Sequence, residues 1–334
     1  MEWYLPVIWA GLIGTAVMLY VVLDGFDLGI AILFPTTKDE SERDQMMNSV
    51  APFWDGNETW LVLGGGGLWV AFPQAYAIIM PAFYIPVILM LLALIFRGVA
   101  FEFRWVAKPH HHRWDIAFWL GSTVAAFSQG LILGGLIQGV TVANGQFAGG
   151  PFDWLTPFTV MCGIGVVVGY ALLGATWLIF KTEGPVAERA RRQARTLLLA
   201  LMGFAALVSL WTPFAHPRIA ERWFTPGNLV LLWPFPALTA FCGYMVWKRL
   251  QGAHEFTPFA FTIAIFLLCF LGLSISNFPY LVPPSVTIWD AAAAPSSHVF
   301  VLIGVAFLLP MILFYTAFVY WTFRGKVRAD SGYH

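Results

Sequence analysis

Apolar runs long enough to cross a lipid bilayer recur from one end of this chain to the other. Hydrocarbon offers no water to pair backbone N–H and C=O groups, and a run of about 20 residues satisfies its own by forming an α-helix. Such runs lie at roughly 6–34, 56–72, 77–101, 115–140, 156–180, 195–214, 229–247, 257–277 and 298–323. The expected fold is therefore an all-α polytopic membrane protein with nine transmembrane helices. The longest connections, near 35–54, 181–194 and 278–297, are too short for a folded extramembrane unit, so 1–334 is read as a single transmembrane domain. The first run lacks a basic leader and a small-residue cleavage site and is longer than the apolar part of a signal peptide.

Composition excludes the soluble alternatives. Charged residues make up 11% of the chain and hydrophobic ones 59%, against about 25% charged in soluble domains. Lys+Arg and Asp+Glu are balanced at 18 each, so no basic field points to nucleic acid, and the expected partners are lipids and other membrane proteins. Cys162, Cys242 and Cys269 fall within apolar runs, without paired spacing, as small core residues.

Orientation follows from the basic residues. Connections after odd-numbered runs hold Lys38, Arg43, Arg104, Lys108, Arg113, Lys181, Arg189, Arg191, Arg192, Arg195, Lys248 and Arg249, and the tail adds Arg324, Lys326 and Arg328. The opposite side holds only Arg218 and Arg222. The expected topology is N-out, C-in.

On that topology, acids gather near the inner boundary. Asp24 and Asp27 lie in the inner half of the first run, about 4.5 Å apart along the axis. Asp55 and Glu58 repeat the spacing where the second run enters. Arg97, with Glu102 beyond it, stands at the same depth in the third. One reading is an Arg97 ion pair that locks helices together, with Asp55 capping a helix start. The other is functional, because intramembrane ionisable residues by default mark ion or proton pathways. One arginine cannot neutralise four carboxylates, so part of the surplus is met by bound protons, and Asp24, Asp27, Asp55 and Glu58 become candidates for a proton entry route. Gly25 and Gly29, spaced as G-x-x-x-G, offer a close approach to a neighbouring helix, or arise by chance in a glycine-rich chain.

Haem in redox membrane subunits is usually held by an axial histidine. His110, His111, His112, His216, His254, His298 and His334 all lie away from the interior of the runs, with His216 and His298 near the outer boundary. No phosphate-cradling motif or metal-ligand spacing appears. The chain is expected to bind no cofactor and no metal.

DGFDLG (24–29), APFWDGNETWL (51–61) with the glycine run after it, FRGVAFEFR (96–104), FPYLVPPSVTIWDAAAA (278–294) and LPMILFYTAFVYW (309–321) resemble, in order and over the whole chain, subunit II of the cytochrome bd-type quinol oxidases. The short length and compact loops are most similar to the cyanide-insensitive branch. The resemblance implies two four-helix bundles, 1–140 and 156–277, with 298–323 as a peripheral ninth helix. It implies a pseudo-symmetric heterodimer with a subunit I that carries the b- and d-type haems and the quinol site, leaving subunit II haem-free. Quinol oxidation would be coupled to dioxygen reduction in the bacterial cytoplasmic (inner) membrane, with chemical protons drawn from the cytoplasm. A small single-helix accessory subunit and bound lipid or quinone are further expected partners. Asp55, in WDGN, matches the family position best placed for proton entry; Glu58 departs from the Gln found in relatives. The alternative class is a proton- or cation-coupled secondary transporter, which also uses buried acids near helix breaks; the acids here cluster at the inner side rather than the midplane, and the second half of the chain does not repeat them.

Overall fold

A computed structural model of the chain describes residues 3–107 and 111–327. Lys108, His110, Arg328 and His334, used above for orientation and ligation, lie outside the described residues. Helix α1 (Leu5–Leu33) runs into a 3-10 turn (Phe34–Thr36) and a short α2 (Glu40–Asn48). There follow α3 (Trp54–Ala71), α4 (Pro73–Ala82), α5 (Tyr84–Val106) and α6 (His112–Gln138). A hairpin of β1 (Val142–Ala143) and β2 (Gln146–Phe147) leads to α7 (Pro157–Lys181) and α8 (Gly184–Ala215). Then come α9 (Pro217–Phe224), α10 (Pro226–Leu232), α11 (Pro234–Leu250) and α12 (Phe256–Asn277). The hairpin β3 (Tyr280–Val282)–β4 (Val286–Thr287) precedes α13 (Pro295–Thr322).

Among the described residues, eight segments are long and apolar enough to cross a membrane: α1 with its 3-10 extension, α5, α6, α7, α8, α10 with α11, α12 and α13. The second expected run corresponds to α3, which has 18 residues but carries Asp55, Asn57 and Glu58 in its first turns and falls outside this group. Two expected boundaries are corrected. The run at 77–101 is not one helix, because α4 stops before Phe83 and α5 starts after it. Pro86 accounts for this: it has no N–H to offer the Ala82 carbonyl, and its ring conflicts with that carbonyl in a continuous helix. The connection expected at 181–194 is mostly helix, because α8 begins at Gly184 with a proline in its first positions and carries Arg189 to Arg195 as a polar extension of the apolar run. The connection at 35–54 holds α2, whose start is capped by Asp39 accepting from the Glu42 N–H at 3.2 Å.

α1 is the hub. It packs on α3, α6 and α7, while α5 pairs with α6, α7 with α8, and α11 with α12. Its crossing with α7 depends on glycine on both sides: a Cβ on Gly29 would lie 1.8 Å from the Tyr170 carbonyl oxygen, and one on Gly174 would lie 2.4 Å from the Gly29 carbonyl carbon. The G-x-x-x-G spacing thus does serve a close helix approach. Below the crossing, Phe26 stacks on Trp177 at 4.2 Å between ring centroids, and Phe259 closes on both rings edge-on. α13 lies against α1 and α3 with most of its side chains exposed. α2, the last turn of α5, the first turn of α6, the α7–α8 turn and the segment 323–327 share one end of the bundle, called here the basic end. Lys181 joins α7 to that segment, its Nζ donating to the Phe323 and Gly325 carbonyls at 2.5 and 2.6 Å.

Candidate functional site

Near the basic end, α1, α3 and α5 bring together most of the expected charges. Arg97 Nη1 donates to Asp24 Oδ1 at 2.6 Å, with both side chains at 0% exposure. Helix α6 seals the pair from behind: Gly121 lets it approach so closely that a Cβ there would be 2.7 Å from the Ala93 carbonyl oxygen and 3.2 Å from Arg97 N. From α3, Trp54 covers the guanidinium at 5.8 Å from its ring centre and is itself stacked on Phe101 at 4.8 Å. The pair is incompletely satisfied: Arg97 Nε and Nη2 have no hydrogen-bond partner, while the Tyr20 hydroxyl lies beside the Asp24 carboxylate. Leaving such atoms bare is costly, and buried water is the usual remedy.

Asp27, also at 0% exposure, accepts from Asn57 Nδ2 at 2.8 Å through Oδ2, while its Oδ1 has no partner. Asn57 Oδ1 in turn accepts from the Tyr320 hydroxyl at 2.9 Å, which brings α13 into the site. Glu58 is half-buried on α3, with Arg97, Asp24 and Asp55 as charged neighbours. Asp55 is exposed in the first turn of α3. It does not cap that helix: the capping position is Phe53 and no side-chain cap is made. Exposure therefore falls from Asp55 through Glu58 to the fully buried Asp24 and Asp27. Glu102 stands apart on the exposed face of α5.

Sequence reasoning missed several participants. Asn57 lies within the WDGN motif, where its neutrality drew attention to Asp55 instead. Tyr320 gave no signal, being 263 positions away. A second polar row starts one turn before Asp24: Tyr170 donates to Gln129 Oε1 at 2.6 Å, and Gln129 Nε2 donates to the Tyr20 hydroxyl at 2.8 Å. Closer to the basic end, Arg104 is held by Asp44 at 2.5 Å and Asp115 at 2.7 Å, and Arg43 also meets Asp115 at 2.8 Å.

His298 is buried in the first turn of α13, and its Nε2 is engaged by the Ala71 carbonyl at 2.8 Å. His111 and His254 contact Glu40 and Arg249, and His112 is exposed. His216 is the residue on which α8 ends. Among the described residues no group of three or more His, Cys, Asp and Glu could hold a metal ion.

Comparison with known proteins places the chain in a family. The family described as cytochrome bd terminal oxidase subunit II matches residues 5–323. Cytochrome bd-I ubiquinol oxidase subunit 2 of Escherichia coli (strain K12) is 30% identical over 97% of this chain and 95% of its own length. Cytochrome bd ubiquinol oxidase subunit 2 of Bacillus subtilis (strain 168) is 28% identical over 96% of each chain. Among solved structures, a chain of the bd oxidase from Geobacillus thermodenitrificans superposes with a TM-score of 0.78 at 16% identity, covering 95% of this chain and 98% of that one. The fold is therefore that of a bd oxidase subunit. The chain belongs to the cytochrome bd terminal oxidase subunit II family, and is a multi-pass membrane subunit of a respiratory quinol oxidase.

Proposed function

We propose that this chain is the haem-free subunit II of its oxidase and that it supplies protons from the cytoplasmic side while shielding and supporting the haems of subunit I. The b- and d-type haems and the quinol site belong, on this reading, to that partner, with room for a small accessory helix and bound lipid or quinone. The membrane is the bacterial inner membrane. The chain crosses it nine times, N-out and C-in, with α3 as the polar crossing whose charged start opens at the cytoplasmic face. On this reading the helices form two four-helix bundles, α1–α3–α5–α6 and α7–α8–α11–α12, joined where α7 packs on α1 and α6, with α13 as the peripheral ninth helix.

One observation carries the proton role: the acids are graded in exposure, from Asp55 at the surface through Glu58 to the buried Asp24 and Asp27, and Asp27 Oδ1 is left unpartnered in a site with a single arginine, Arg97. Asp55 captures a proton from water, Glu58 passes it inward, and Asp27 Oδ1 receives it. Asp24 is held by Arg97 and sets the field in which Asp27 works. The test is steady-state quinol-dependent oxygen consumption by purified complexes carrying Asp55→Asn, Asp27→Asn or Glu58→Gln. An amide keeps the shape of the carboxyl but carries no transferable proton, so turnover should fall about tenfold or more with haem content unchanged. Normal turnover in every variant would exclude the route.

A further inference from the structure

The Asn57 amide has two ways to sit between α1 and α13, and only one suits a carboxylate. With Nδ2 toward Asp27 it donates a hydrogen bond to Oδ2; rotated, it would present its own oxygen to that carboxylate and repel it. The Leu23 carbonyl, accepting from the same Nδ2 at 3.3 Å, fixes the first orientation, and Oδ1 is left to accept from the Tyr320 hydroxyl at 2.9 Å, which completes the amide's bonding and holds it in place. Asp27 Oδ2 is thereby held at 2.8 Å, and Oδ1 is left buried and unpartnered. The charged groups around Asp27 are Asp24 on its own helix, Arg97 on α5 and Glu58 on α3, and α13 contributes the Tyr320 phenol.

We propose that Tyr320 is a positioning residue for proton transfer: through Asn57 it holds Asp27 Oδ2, so that Oδ1 is the oxygen that takes and releases the proton. This rests on the proton-route reading above. The hydroxyl is separable from the anchoring of its helix. The Tyr320 ring stacks on Phe53 at 4.5 Å, and the chain just beyond α13 is tied to α7 by Lys181 through the Phe323 and Gly325 carbonyls. A phenylalanine at this position keeps both attachments and removes only the bond to Asn57.

Purified complexes carrying Tyr320→Phe, Asp27→Asn and both changes test the assignment. Tyr320→Phe should assemble with normal haem content and slow turnover about three- to tenfold, the range of one neutral hydrogen bond acting on a barrier. The infrared carboxyl band that disappears in Asp27→Asn should shift in Tyr320→Phe. In the Asp27→Asn background, Tyr320→Phe should cause no further slowing, as expected for residues acting in series. Unchanged turnover and an unshifted band, a fully additive loss in the double variant, or failure of Tyr320→Phe to assemble would each overturn the proposal. A slowed Asp27→Asn beside a normal Tyr320→Phe would remove the positioning role alone, whereas a normal Asp27→Asn would remove the proton route beneath it.

Discussion

Asp24 and Arg97 are fully buried opposite charges, and removing either strands the other. Breaking such a pair costs about 3–5 kcal/mol, so Arg97→Met should lower the thermal midpoint and yield of the complex. A midpoint equal to wild type would mean that the pair is not needed for the fold. Gly29 is the steric counterpart: a Cβ there would lie 1.8 Å from the Tyr170 carbonyl oxygen. Gly29→Ala should force α1 and α7 apart and reduce the folded fraction recovered by gel filtration, and undiminished recovery would contradict the close crossing. Outside the membrane, Glu42 accepts from Arg189 Nη1 at 2.5 Å and from the Thr37 hydroxyl, and the Arg189 bond in particular holds its carboxyl below the ordinary carboxylate range. A group held low in the folded chain contributes stability that is present above its unfolded value and is lost as pH falls through the folded one. The attachment of α2 to α8 should therefore loosen on acidification into and below the carboxylate range, by a small amount because both partners keep some contact with solvent. Hydrogen exchange in α2 reports this, and Glu42→Gln should abolish the pH response.

Helix α13 is tied near both ends by polar contacts. His298 meets the Ala71 carbonyl at one end, and Lys181 meets two carbonyls just past the other. Lys181→Met should loosen the segment 323–327 and raise its rate of limited proteolysis, with α1 to α12 still folded; an unchanged rate would show that its other ties, from Val327 to the Lys181 carbonyl and Gln45 and from Lys326 to Glu255, are enough to seat it. The long apolar helices were legible because their pattern is local: about 20 apolar residues leave the backbone one solution. Breaks and extensions were less so. The division at Phe83 turns on Pro86 acting four residues back, and the helical start of α8 is polar, so an apolar-run criterion sees neither. The acids were legible as a set because charge in an apolar run is rare. Asn57, Tyr320 and Gln129 were not, since neutral polar residues stand out little and their partners are joined only by the packing of distant helices.

The molecule as a whole has one charged end and one end closed by hairpins, and the proposed function depends on which faces the cytoplasm. A reporter active only in the cytoplasm should work when fused after His334 and fail when inserted within 141–155. The opposite pattern would reverse the direction of proton supply. The most direct measurement reconstitutes the purified complex in vesicles of known sidedness and follows proton uptake by pH-sensitive dye after an oxygen pulse. Protons should disappear from the side bearing segment 323–327, and Asp27→Asn should slow their uptake and oxygen consumption together, with haem content unchanged. Uptake from the hairpin side, or unaltered rates in Asp24→Asn, Asp27→Asn, Asp55→Asn and Glu58→Gln alike, would contradict a proton route through this chain.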